Sequence, residues 1–276
     1  MRRSGCKSRG PVHISPLFWA IVRAMARQNR QNLSSAGDFF ASAAQARQAA
    51  MSSEFASARL PSPGAPGLAP EQRERMIQAA REVLECHRVL HRGGLTLISD
   101  IMRAGQAAPA PFEHYPPDDV IDHAHHAQYY YHAHRSEEEH GHFHCFARIL
   151  NPAGEGWVPV HLGAISMTHE GLPRALFATN RWVTEEHWLP AEDTIALLDR
   201  FVIDHAAPSW PVNRWVTAML VLFRPHFEAL LRQRDRIVEA FQHQHPEVNA
   251  LDDQELEVTG QIVIDIRAWL AELANA

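Results

Sequence analysis

The stretch that decides the fold runs from Tyr129 to Phe146 and reads YYYHAHRSEEEHGHFHCF. At both ends, aromatic or apolar side chains alternate with histidines, and an acidic segment lies between the two ends. Because successive side chains of a β-strand point to opposite faces, this alternation predicts an antiparallel hairpin with one histidine face and one apolar face. Nine of the nineteen histidines lie between His114 and His144. The chain therefore concentrates its imidazoles around this hairpin.

The length of the hairpin loop sets the predicted register. If Arg135 to Gly141 form the loop, His134 lies opposite His142 and His132 lies opposite His144. Directly opposed Cβ atoms are about 5 Å apart, and neutral imidazole nitrogens bind transition metals at about 2 Å. The hairpin therefore predicts a site for one divalent transition metal, Zn, Fe, Cu or Ni, with His132, His134, His142 and His144 as the ligands.

The acidic loop supplies the candidates for catalysis, Glu138 and Glu139. A carboxylate at the open end of the histidine face can serve as a ligand, as a partner of a ligand or as a general base. Three protein ligands leave a position for water and favour hydrolytic or oxidative chemistry, whereas four histidines close the site and favour storage or sensing. His161 and His169, from the next hairpin, are interpreted as polar surface or edge residues.

Two interpretations without a metal stay open for the same residues. In the first, the histidine face acts with Tyr130, Asn180 and Arg181 as a binding module for a small acidic ligand or a partner protein. An arginine fork beside an aromatic wall suits a carboxylate or a phosphate. In the second, the histidines form a polar sheet face that bonds to water and to the acidic loop and carries no activity.

The pattern around the hairpin predicts an α+β fold. Strand-like runs follow it at Trp157 to Met167 and Pro173 to Val183, so we expect an antiparallel meander of about four strands, while residues 105–119 are expected to form a proline-broken loop. Helical periodicity predicts helices on both sides of the sheet. These are a long helix from about Glu71 to Leu90, a short one over Leu95–Arg103, then Glu192–Asp204, Val212–Phe241 with a break at Pro225, and Asp252–Leu273.

Composition and charge divide the chain near residue 70. Residues 1–70 carry nine Arg or Lys against two Asp or Glu, whereas residues 71–276 carry seventeen against thirty. The first part is rich in Ala, Ser, Gln and Pro, which predicts a poorly ordered basic tail and linker before a single domain over 71–276. The acidic domain is not expected to bind nucleic acid. Lys7 is the only lysine, so the domain has no residue for lysine-based catalysis.

The cysteines and the hydropathy indicate the compartment. Cys6, Cys86 and Cys145 are odd in number and far apart, which argues against a disulfide framework and favours a reducing cytoplasm. No stretch approaches the roughly 20 apolar residues that a membrane helix needs. We therefore expect a cytoplasmic protein that does not enter the membrane, with a small molecule as its candidate ligand.

Five stretches together resemble a known family. They are HYPPDDVID at 114–122, QYYYHAHR at 128–135, HGHFHCF at 140–146, TNRWVT at 179–184 and LEVTGQIVIDIRAWL at 256–270. The chain is similar over about Glu71 to Leu273 to an uncharacterised family of bacterial proteins that bears only a domain-of-unknown-function label. The resemblance implies a bacterial origin and brings no established activity, cofactor or catalytic residue.

A second, partial resemblance concerns the hairpin alone. The spacing of His132, His134 and Glu138 resembles part of the cupin metal motif, in which two histidines and a glutamate bind iron, manganese or nickel. The motif's glycine six positions before the first histidine is replaced by His126, and no second cupin motif follows. Cupin-like oxygenase or isomerase chemistry is therefore an analogy only.

Overall fold

The computed structural model describes residues 59–102, 113–133 and 139–276. These residues form six β-strands and seven α-helices. The strands are β1 (Tyr115–Asp122), β2 (Ala127–His132), β3 (Gly141–Leu150), β4 (Trp157–Met167), β5 (Pro173–Thr179) and β6 (Val258–Val263). The helices are α1 (Pro70–Arg92), α2 (Leu97–Ile101), α3 (Arg181–Thr184), α4 (Ala191–Ile195), α5 (Trp210–Leu222), α6 (Arg224–Gln244) and α7 (Ile266–Asn275). No helix in this part of the chain is long and apolar enough to cross a membrane.

The six strands form one sheet in the order β1-β2-β3-β4-β5-β6, and every neighbouring pair is antiparallel. The predicted α+β class with flanking helices is confirmed, but the sheet has six strands rather than about four. The first strand missed, β1, contains Pro116 and Pro117. It is an edge strand, where proline is tolerated because half of the backbone groups need no ladder partner.

The second strand missed, β6, lies inside the helix predicted over Asp252–Leu273. Val258–Val263 pairs with β5, and the helix begins only after Asp265, whose carboxylate accepts the backbone N–H groups of Arg267 and Ala268. An acidic N-cap of this kind marks a true helix start. The sheet pairing of the preceding residues, which are distant in sequence from β5, overrides the helical periodicity.

Three other boundaries differ from the predicted ones. The break predicted at Pro225 within Val212–Phe241 lies two residues earlier, at Phe223, where α5 ends and α6 begins. The strand predicted to reach Val183 ends at Thr179, where the Asn180 side chain accepts the Arg181 N–H and starts α3. The helix predicted over Glu192–Asp204 is the short α4 followed by a 3-10 turn at Leu198–Arg200.

The main core lies between the sheet and the long helices. Tyr129, Tyr131 and Phe143 point to this side of the hairpin and are fully buried. Trp215 of α5 packs against Phe143, with 5.5 Å between ring centroids, and the Tyr129 hydroxyl donates to Asn213 Oδ1 at 2.6 Å. Burying these apolar rings supplies the main stabilisation of the hairpin and leaves its histidines on the other face.

Residues 59–69 lie in the stretch whose composition predicted a linker, and in the structure they contact the domain. The Leu60 N–H donates to the carbonyl of Gln261 at 2.9 Å, beside a bridge between Arg59 and Gln261. Ala65 is buried, and its N–H donates to Glu272 Oε1 at 2.7 Å. These residues therefore join the edge strand β6 and the last helix to the start of α1.

A β-bulge in β4 changes which residues face the histidines. Phe146 pairs with His161, but Cys145 pairs with Gly163, so one extra residue is inserted in β4. A bulge of this kind reverses the alternation of faces along a strand. His161 consequently lies on the same face as His144. Beyond the bulge the alternation is reversed, and the even-numbered Ala164 shares this face.

Candidate metal centre

The hairpin register differs from the predicted one by two residues. His132 pairs with His142, and Tyr130 pairs with His144. A shift by an even number of residues changes the partners but keeps every side chain on its face. Gly141, predicted as the last residue of the loop, is the first residue of β3. Just before it, Glu139 contacts His142, and the His140 N–H donates to the Met167 carbonyl at 2.9 Å.

Three of the four predicted ligands converge. One ring nitrogen from each of His132, His142 and His144 lies within 4.8 Å of the others. The Nε2 atoms of His132 and His142 are 2.7 Å apart. All three residues are buried, with His144 fully excluded from solvent. The fourth predicted ligand, His134, lies outside the described residues.

The outer nitrogens of two of the three ligand rings, His142 and His144, have protein partners. His142 Nδ1 bonds to Glu139 Oε1, and His144 Nδ1 lies 2.9 Å from His161 Nε2. His161 Nδ1 in turn lies 3.2 Å from the Thr179 hydroxyl. Metal-binding histidines characteristically make such a second contact, which fixes the tautomer and the orientation of the ring. Glu139, a predicted catalytic residue, therefore contacts the outer nitrogen of a ligand ring and not the inner nitrogens. Glu138 lies outside the described residues.

The inner nitrogen of His144 has no hydrogen-bond partner among the described residues. His144 Nε2 is buried and makes no hydrogen bond to the described residues. If His144 Nδ1–H donates to His161 and His161 Nδ1–H donates to Thr179, this Nε2 carries a lone pair instead of a proton. Whichever tautomer is present, this buried nitrogen lacks a partner among the described residues, which costs about 1–3 kcal/mol. In the tautomer with the lone pair, a metal ion could take this place.

Burial keeps His144 and His161 neutral. Desolvation, followed by the neighbouring imidazoles His142 and His161, holds the pKa of His144 well below its usual value. Desolvation is also the main cause that lowers the pKa of His161 to about 3, with Arg234 adding to it. Neutral imidazole is the form that binds a metal ion.

Aromatic rings enclose the cluster. Tyr130, predicted as a ligand-binding residue, is buried and stacks on His114 with ring centroids 3.7 Å apart. Phe177 packs edge-on against His142 at 5.1 Å. Phe146 packs against His161, also at 5.1 Å. These walls exclude water and strengthen electrostatic interactions inside the site.

Asn180 and Arg181, the other predicted ligand-binding residues, make structural contacts. The Asn180 amide is buried and donates to the Ala250 carbonyl at 2.7 Å. Arg181 pairs with Asp252. Both residues therefore join α3 to the 3-10 turn at Ala250–Asp252, and their role in ligand binding stays a prediction.

His161 and Glu186 are the residues near the site that the sequence analysis missed. His161 is only 1% exposed, so its interpretation as a surface or edge residue is wrong. The bulge in β4 conceals the alternation that would have placed it beside His144. Glu186 is buried and accepts the backbone N–H of His161. Its position after α3 gave no sequence signal, because an isolated glutamate is usually solvated.

Glu186 makes stability depend on pH. Desolvation raises its pKa from the usual 4.5 to about 8, against the opposing effects of Arg234 and the His161 N–H. Between these values the folded protein keeps a proton that the unfolded chain releases, so stability is full below pH 4.5 and falls as the pH rises through 8. Glu186→Gln stays neutral. We expect the difference in melting temperature between Glu186→Gln and wild type to rise by roughly 10 °C from pH 5 to pH 8.5, in favour of the variant.

Differential scanning fluorimetry at the two pH values measures this gain, with the exposed Glu255→Gln as the matched control. If the melting temperatures of wild type and Glu186→Gln changed with pH by the same amount, Glu186 would be ionised in the folded protein throughout this range.

The fold and the cluster together define an α+β domain with a buried site of three histidines. The chain belongs to the family described as Domain of unknown function (DUF6969), whose model matches residues 77–264. The predicted membership of a family of unknown function is thereby confirmed. No curated protein and no solved structure matches the chain. The function is therefore argued from the site itself.

Proposed function

We propose that this domain binds one divalent transition metal through Nε2 of His132, His142 and His144. The observation that carries the proposal is the inner nitrogen of His144, which is buried, has no described partner and lies in a group of three imidazoles within 4.8 Å. A metal ion would satisfy this nitrogen. Neutral imidazoles suit Zn, Fe, Cu and Ni, so the ligand type restricts the metal to this group.

Two of the proposed ligand nitrogens lie slightly closer together than they would around a bound zinc ion. Two nitrogens bound to a tetrahedral zinc at about 2.0–2.1 Å are about 3.3 Å apart, whereas Nε2 of His132 and Nε2 of His142 are 2.7 Å apart. In this contact one nitrogen donates to the other. Because His142 Nδ1 already faces Glu139, the proton between the two Nε2 atoms belongs to His132. Metal binding through Nε2 would require His132 to change tautomer, with its single proton on Nδ1 instead of Nε2, and would separate the two rings slightly.

The contacts behind the ligands support a working metal site. Glu139 orients His142, and His161 orients His144. A metal held by three protein ligands keeps a position for water and lowers the pKa of that water towards neutrality. We therefore propose hydrolytic chemistry at this site. In this proposal Glu139 positions a ligand, which is one of the three roles that the sequence left open for it, and does not act as the general base.

Cobalt provides the direct test of this proposal. Titrating the metal-free protein with Co²⁺ should give one equivalent of binding and visible absorption bands of a four-coordinate site. Azide should then shift these bands, because it replaces water at the open position. A spectrum unaffected by azide would contradict the open position and favour storage or sensing. Absence of binding would contradict the metal site as a whole.

Glu139→Gln tests the positioning role. The amide keeps the size of the side chain but loses the charge that holds His142 Nδ1–H. Removing such a second contact typically weakens metal binding by about 10–100-fold, and we expect a loss in this range for Zn²⁺ in a chelator competition assay. The exposed Glu170→Gln serves as the control. Equal affinities for Glu139→Gln and wild type would remove Glu139 from the site.

A further inference from the structure

A cavity lies at one end of the domain, away from the histidine cluster. Its volume is about 670 Å³, and it is bounded by the end of α1, the start of α2, the β4–β5 turn and the start of α7. A volume of this size suits a small molecule. None of its lining residues belongs to the three-histidine site.

One wall of the cavity is apolar. Leu84, Leu95, Leu172, Ile264 and Ile266 line it. Leu172 is 51% exposed, a position at which a leucine gains little from folding alone. The turn that carries it is packed tightly, because a Cβ at Gly171 would lie 2.8 Å from Thr96 Cβ. The turn that carries Leu172 is therefore held close to Thr96, the N-cap residue of α2.

The rim of the cavity carries three arginines against two acidic residues. Arg88, Arg92 and Arg267 line it together with Glu170 and Asp265. Asp265 accepts the backbone N–H groups of Arg267 and Ala268 at the start of α7, and Glu170 stays a charged carboxylate because a hydrogen bond from Thr168 lowers its pKa. Arg88 pairs with Glu85. Arg92 and Arg267 form no ion pair with any residue in the described ranges.

His87 adds a neutral donor to the same cavity. The Trp215 Nε1–H donates to His87 Nε2 at 3.1 Å, so the proton of the neutral ring lies on Nδ1. Desolvation lowers the pKa of His87 and keeps the ring in this form. The lining therefore combines hydrogen-bond donors and cations with an apolar wall, which is the complement of an amphipathic anion.

We propose that this cavity binds a small amphipathic carboxylate, with its alkyl chain along the leucine and isoleucine wall and its carboxylate held by Arg92 and Arg267. Planar guanidinium groups match a carboxylate better than point charges do. The proposal concerns a free molecule in solution and does not depend on the metal site.

Isothermal titration calorimetry of the full chain tests this site with monomeric hexanoate, octanoate, decanoate and decanol. Affinity for the carboxylates should rise about fourfold per added methylene. The uncharged decanol should bind at least about tenfold more weakly than decanoate, because it lacks the charge-assisted bonds. Equal binding of decanol and decanoate, or no binding of any probe, would overturn the proposal.

Substitutions of residues that line the cavity test whether decanoate binds there. The double variant Arg92→Ala, Arg267→Ala should weaken decanoate binding by about tenfold or more, while Arg81→Ala, an exposed arginine of α1 outside the cavity, should leave it unchanged. Leu172→Glu, at an exposed position that tolerates a polar residue, should abolish binding by repelling the chain and the carboxylate. Unchanged decanoate affinity in both the double variant and Leu172→Glu would place any binding elsewhere. Association with anionic vesicles without binding of monomeric decanoate would also overturn the proposal.

Discussion

His142→Ala is expected to lower the affinity for Zn²⁺ by more than about hundredfold, beyond the 10–100-fold typical of a second contact. His142 supplies a ligand nitrogen and links the cluster to Glu139. Without it, only His132 and His144 remain of the three converging rings, and two nitrogens do not make a stable zinc site. The measurement is competition with a chromophoric chelator at pH 7.5.

Two further variants distinguish zinc binding at the three-histidine site from non-specific binding to other histidines. His132→Ala changes the most exposed of the three ligands and should cause a similar loss with less disturbance of packing. His169→Ala removes an exposed histidine of the β4–β5 turn and should leave the affinity within about twofold of wild type, as surface changes away from a site usually do. Equal losses in all three variants would indicate non-specific binding to histidines.

Gly163→Ala is expected to lower the free energy of unfolding by about 3 kcal/mol or more. Gly163 has a φ of +143° in the β4 bulge, and a Cβ there would lie 2.7 Å from Cδ1 and Cε1 of Phe227. The alanine would therefore combine backbone strain with overpacking against a fully buried ring. Urea denaturation monitored by circular dichroism measures the change.

Gly156→Ala is the matched control for this prediction. Gly156 also has a positive φ, of +95°, but a Cβ there would meet nothing within 4 Å. It should show the cost of strain alone, about 1 kcal/mol. Gly163→Ala as stable as Gly156→Ala would contradict the close approach of Phe227 to the bulge. A folded Gly163→Ala protein should bind metal more weakly, because the bulge positions His161 behind His144.

The local pattern was enough to predict the hairpin and its histidine face. Alternation over Tyr129–His132 and His142–Phe146 reflects a physical division between a packed core and a polar face, and a register error of two residues leaves this division unchanged. The exact pairing could not be predicted, because registers that differ by two residues place the same side chains on the same face.

The remaining errors come from contacts between residues distant in sequence. β1 and β6 became strands because neighbouring strands offered pairing partners, despite the prolines of one and the helical periodicity of the other. His161 lies beside His144 because of a bulge in β4 that contains Gly163, which packs closely against Phe227. Glu186, in the loop after α3, lies near the site because it accepts the backbone N–H of His161. Such placements depend on tertiary packing, which the local periodicity does not contain.

The central claim is tested most directly by elemental analysis of the protein purified without a histidine tag or chelator, beside the His132→Ala, His142→Ala variant. The account predicts about one Zn, Fe, Cu or Ni per chain in the wild type and loss of that metal in the variant. A wild-type protein that contains none of these metals, and takes up none when they are added, would contradict it.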